Sequence, residues 1–107
     1  MSVTYRYHHV GIPTATPVEG MARLEHLRMA CTDHESNPFG VQWMLYEVDC
    51  QVPQLVREVA HVAFEVDNLE EALAGKKVII PPNSPSQGVV VAFIEEAGAP
   101  VELLQFL

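Results

Sequence analysis

Basic side chains are scarce: six Lys and Arg stand against fourteen Asp and Glu, a formal charge of −8 over 107 residues. Residues 1–60 carry four positive and seven negative side chains and residues 61–107 carry two and seven. A surface of that sign repels phosphate backbones, and no Lys/Arg stripe interrupts it. Nucleic acid and anionic membrane surfaces are therefore excluded as expected partners; a small neutral or cationic molecule fits better. Cysteine is nearly absent too. Cys31 and Cys50 form no CxxC motif, so reduced, buried thiols are expected rather than a disulfide. No run approaches the ~18 apolar residues of a membrane span, and Met1 to Arg6 lack the apolar stretch of a signal peptide, so a cytoplasmic location is expected.

What is present is a normal supply of core. Half of the chain (49%) is hydrophobic, enough at this length for one compact domain without staples, and too little chain for two. Prolines and glycines cut it into apolar segments of strand length. Tyr5 to Ile12, Val41 to Val48, Ala60 to Val66, Lys77 to Ile80, Val89 to Ile94 and Val101 to Leu107 read as strands, with a weaker one over Leu27 to Cys31. One helix is well marked, over Asp67 to Gly75, with Asn68 as N-cap, Glu71 three residues on and Gly75 as its stop. Val18 to Leu27 has helical spacing interrupted by Gly20 and stays undecided.

The chain also repeats itself. Tyr7-His8-His9-Val10-Gly11-Ile12 and Val59-Ala60-His61-Val62-Ala63-Phe64 share a His-Val-small-apolar pattern 52 residues apart, so one supersecondary unit is used twice. Alternate strand residues point to opposite faces. His61, Ala63 and Glu65 then oppose Val62, Phe64 and Val66, and His9 takes the position of His61 in the first copy. On the same count His8 points away from His9. Glu102 is a lone carboxylate in an otherwise nearly apolar last strand, and its burial demands a cation, a metal or hydrogen-bond donors.

Three segments, His8 to Thr14, His61 to Leu69 and Pro100 to Gln105, together resemble the glyoxalase/bleomycin-resistance/dioxygenase group, the vicinal oxygen chelate superfamily. The resemblance implies an α+β fold of two βαβββ modules, about 1–56 and 57–107, with mixed sheets curled around a cleft. The first module is shortened, its helix and second strand poorly defined. It further implies a divalent metal (Zn, Ni, Mn or Fe) held by the first and last strand of each module. His9, His61 and Glu102 match those positions directly. Aligning Gly40 to Met44 with Pro100 to Leu104 puts Gln42 at the fourth, and the group uses Glu or Gln there. Glu47 competes with Gln42, but five residues apart on a regular strand the two face opposite sides.

Two imidazoles and a carboxylate suit a divalent transition metal with positions open to water or substrate. A bound metal polarises the oxygens of a bidentate substrate and stabilises the anion left by proton removal, with Glu102 or a nearby carboxylate or water as base. The expectation is thus a metal-dependent isomerase or lyase acting on a small oxygenated metabolite. A drug- or metabolite-sequestering protein of the bleomycin-resistance type is the alternative, ring-cleaving dioxygenase a third, and a structural domain without catalysis a fourth. His26 and His34 are candidate rim residues. Trp43, Met44, Tyr46, Phe93 and Phe106 read first as core. The resemblance, with exposed strand edges, implies a homodimer.

Overall fold

The computed structural model describes residues 2–107. Eight strands form one mixed sheet curled into a half-barrel: β1 (Arg6–Pro13), β2 (Ala22–Leu24), β3 (Met29–Cys31), β4 (Val41–Tyr46), β5 (His61–Glu65), β6 (Lys77–Asn83), β7 (Val89–Glu96) and β8 (Ala99–Phe106). Two short helices, α1 (Gln54–Glu58) and α2 (Leu69–Leu73), complete it. Among the described residues no helix is long and apolar enough to cross a membrane.

The strand order is β2-β3-β4-β1-β5-β8-β7-β6. At the centre β1 runs antiparallel to β5; outside them β4 pairs parallel with β1, and β8 parallel with β5. The sequence repeat is therefore a pseudo-twofold relation about the β1–β5 seam. The halves are not equal. The second is βαβββ, with α2 entered at Asn68, whose side chain accepts from the Glu71 N–H at 2.9 Å as the capping pattern predicts. The first has four strands and no helix after β1. The undecided stretch Val18 to Leu27 becomes the short strand β2 and a 3-10 turn over Glu25–Leu27. The mixed sheets of the two halves join at β1 and β5 into one continuous curled sheet, and the crossover to β5 contains α1, which the strand reading did not anticipate.

Val66, Leu69, Ala72, Ala92, Ile94 and Leu103 form the main core, between α2 and the convex face of β5, β7 and β8. Ala63, Val89, Val91 and Leu104 form a smaller cluster on the opposite, concave face. Cys31 and Cys50 are free thiols; Cys50 is buried as expected, whereas Cys31 is only half-buried.

Candidate metal centre

The concave face carries the chemistry because strand parity puts it there. Ala63 is in register with Glu102 and Gly11 with His61, so His61 and Glu102 share this face with His9. All three are buried, to 5% exposure for His9, 1% for His61 and 8% for Glu102. Glu102 Oε1 lies 3.2 Å from His9 Nε2 and 3.1 Å from His61 Nε2. One ligand atom from each residue falls within 4.8 Å of the other two. Ligand atoms about 2.1 Å from a common ion stand about 3.0–3.4 Å apart in octahedral or tetrahedral arrangement, so this spacing suits one divalent cation.

His61 supplies the independent test of fit. The buried His61 ring makes no well-formed hydrogen bond: Nε2 faces only the Glu102 carboxylate, at 3.1 Å, and Nδ1 has no partner. An orphaned buried imidazole is costly in an ordinary core and is what a ligand position leaves without its ion. Burial pushes the Glu102 carboxyl up, yet the imidazoles of His61 and His9 facing it pull it down further, to about 2. It is ionised at neutral pH, as a ligand must be. Among the described residues no Lys or Arg pairs with it.

The His61 ring is held from two sides. Gly11, its register partner, has no Cβ to occupy the space the ring fills, and the Phe93 ring meets it edge-on at 4.9 Å.

His8 corrects the sequence reading. Tyr7 pairs with Phe64 and His9 with the next residue back, Ala63, so His8 is the extra residue of a β-bulge and the alternation slips there. Instead of facing away, its Nδ1 stands 2.7 Å from His9 Nδ1. A proton shared between these two Nδ1 atoms fixes the ring and leaves Nε2 of His9, which faces the centre, as the atom available to a metal. His34 stacks on His8 with ring centroids 4.3 Å apart, so one predicted rim histidine does reach the site. His26 is exposed in the 3-10 turn and takes no part.

Gln42 sits where the repeat places it. Gly11, two residues after His9, is in register with Gln42, and Ala63, two residues after His61, with Glu102. Its amide also reaches the Cys31 thiol, whose pKa burial pushes up and this contact lowers in part. Glu47 lies beyond the end of β4 and accepts from Nε and Nη2 of Arg23, at 2.6 and 3.0 Å, away from the centre. Glu65, on the ligand face, pairs with Arg6 at 3.3 Å.

Tyr46 is the residue that sequence reasoning left in the core. It shares a β4 face with Gln42, and its phenol is pushed up, first by burial and then by the Glu102 carboxylate, so it stays protonated. Two surface depressions lie away from the three ligands, one beside α2 and one of about 290 Å³ between Tyr46 and α1.

No protein-family model and no curated protein matches this chain. Among solved structures, a hypothetical protein from Bacillus halodurans C-125 is similar over 97% of this chain and 96% of its own, with a TM-score of 0.68 at 18% identity. That likeness concerns the fold.

Proposed function

We propose that the protein is a divalent-metal enzyme of the glyoxalase/bleomycin-resistance/dioxygenase group, an isomerase or lyase that takes a small oxygenated metabolite as a bidentate chelate. One observation carries the reading: two buried imidazoles from equivalent strands of a repeat converge on one buried carboxylate, and one imidazole makes no well-formed hydrogen bond. His9, His61 and Glu102 are the ligands and Gln42 the fourth. When bound, the ion polarises substrate oxygens and stabilises negative charge next to a carbon that loses a proton.

The chain's own groups divide the rest. His8 orients His9, and Gly11 with Phe93 orients His61. Tyr46, kept protonated on the same face, is the group we assign as donor to a developing oxyanion. Glu102, held down near 2, is a weak base while it faces both imidazoles, so it accepts a proton only when it leaves them.

Sequestration without chemistry is the second reading, supported by the charge of −8, which suits a cationic ligand. Elemental analysis of protein purified without chelator or His-tag tests the first, with His61→Ala beside it. Near-stoichiometric Zn, Ni, Mn or Fe that disappears in the variant is expected. Wild type that stays metal-free after soaking would overturn the metal reading and leave sequestration.

A further inference from the structure

Arg57 is the arginine that the fold leaves over. The chain's other three arginines each hold a carboxylate within 3.5 Å: Arg6 takes Glu65 and Asp67, Arg23 takes Glu47, and Arg28 takes Asp49. Among the described residues Arg57 forms no ion pair, and its Nε is closed to solvent without a hydrogen-bond partner. In a chain with fourteen carboxylates that is an odd residue to leave unmatched. A buried donor without an acceptor is costly, and in a native structure it calls for an explanation.

Its surroundings supply one. Helix α1 turns Val56 into the core, at 2% exposure, and leaves Arg57 half-buried in the wall of the depression of about 290 Å³. Thr14, Tyr46 and Gln54 give that wall neutral polar groups, and Thr14 is tied to β4 by its N–H, which donates to the Met44 carbonyl at 2.8 Å. Glu47 and Glu58 also line it, but both are engaged: Glu47 accepts from Nε and Nη2 of Arg23, and Glu58 from the Gln54 amide at 2.8 Å. Glu58 follows Arg57 directly on the helix, and consecutive helical residues do not face each other. Arg57 is thus the one positive group of the depression, and no side chain claims it.

We propose that this depression is a binding site for a small carboxylate, anchored on the Arg57 guanidinium. A guanidinium presents parallel N–H donors that match the two oxygens of a carboxylate, and the molecule already makes that pairing where Arg23 holds Glu47 at 2.6 and 3.0 Å. Because Nε lies below the surface, the ligand meets the terminal nitrogens first, and Nε completes the fork as the side chain turns towards it. Size limits the ligand to a small metabolite, since ~300 Å³ is the lower end for ligand pockets. Charge narrows it further. With Glu47 and Glu58 in the lining and −8 on the chain, a singly charged carboxylate is tolerated where a doubly charged phosphate is repelled. Tyr46 belongs to two places, lining the depression and sharing a β4 face with Gln42. The carboxylate is therefore one end of the molecule handled at the centre or a separate small acid, and the site itself does not depend on the metal reading.

The arginine Nε–H gives its own nitrogen-15 signal, and four arginines give four. That of Arg57 is closed to water and exchanges slowly, and the signal missing from Arg57→Met assigns it. Chelator-treated protein is titrated with sodium propionate from about 0.1 to 50 mM. The Arg57 signal is expected to move saturably, and the thermal midpoint to rise in wild type but not in Arg57→Met. Arg57→Lys keeps the charge without the fork and is expected to bind about fivefold more weakly. Without propionate, Arg57→Met should unfold no earlier than wild type, because it removes an unpaired donor, whereas a purely structural arginine would lower the midpoint. With Zn present, 2-oxoglutarate separates the two sources, since it offers an oxo acid at one end and a free carboxylate at the other. Binding tighter than that of propionate, and lost in Arg57→Met, gives the site to the substrate; equal binding gives it to a separate acid, and the site stands in both cases. An Arg57 signal indifferent to propionate, an equal response to inorganic phosphate or propylamine, or binding that survives in Arg57→Met would each overturn the proposal.

Discussion

Gly11 and His61 stand in register on adjacent strands, and the imidazole occupies the space where a side chain on Gly11 would go. A Cβ there would come within 2.5 Å of Nε2 and 2.8 Å of Nδ1, and nearer still to Cε1. With Phe93 on the ring as well, at 4.9 Å, His61 has little room to retreat. Gly11→Ala is therefore expected to cost about 1–3 kcal/mol of stability, as overpacking does, and to abolish tight metal binding. Urea unfolding with and without Zn, read beside a metal titration, checks both; unchanged affinity would show that the ring is not fixed from this side.

The 2.7 Å contact between the Nδ1 atoms of His8 and His9 gives His8 a definite task. His8→Leu keeps bulk beside His34 and Phe106 but removes the hydrogen-bond partner, and metal affinity is expected to fall about 10- to 100-fold. His8→Asn, whose side-chain oxygen sits near the former Nδ1, should recover part of it. Equal affinities for Leu and Asn would remove the hydrogen bond from the account.

The metal-free protein should be acid-sensitive through Glu102. Its carboxyl lies at about 2 when folded, against 4.5 ordinarily, so the unfolded chain binds the proton first. Stability from this group is fully present above about pH 4.5 and is lost as pH falls towards 2, with a ceiling on the order of 3 kcal/mol. Denaturant midpoints of chelator-treated wild type should fall more steeply over that window than those of Glu102→Gln. Parallel slopes would show that the carboxylate is not held down.

How far the sequence could be read depended on whether a signal was local and periodic. The strand segments, the Asn68 cap and the equivalence of His9 with His61 follow from alternation and repetition, and the structure places His9, His61 and Glu102 within contact of one another. His8 was misread because parity assumes an unbroken strand, and the bulge shows only in the pairing of Tyr7 and His9 with consecutive residues of β5. The role of Gly11 is likewise a property of two strands. Helix α1, five residues behind Pro53 without a side-chain cap, leaves no periodic signal in the gap between the strand segments.

Gln42 and Glu47 offer the sharpest remaining contrast, because residue type and position point in opposite directions. A carboxylate is the better ligand for a divalent cation, which favours Glu47; register favours Gln42, the counterpart of Glu102 across the pseudo-twofold relation. Glu47 is already held by Arg23 through two contacts at the surface, whereas Gln42 shares a face with Tyr46. Gln42→Ala is accordingly expected to weaken metal binding at least tenfold and to alter the visible spectrum of the Co(II)-substituted protein. Gln42→Glu, which adds a charged oxygen at the same point, should tighten it, and Glu47→Ala should leave affinity and spectrum as in wild type. A Co(II) spectrum that responds to Glu47→Ala and ignores Gln42→Ala would mean that the end of β4 turns inward when the ion is bound, and that the fourth ligand is Glu47.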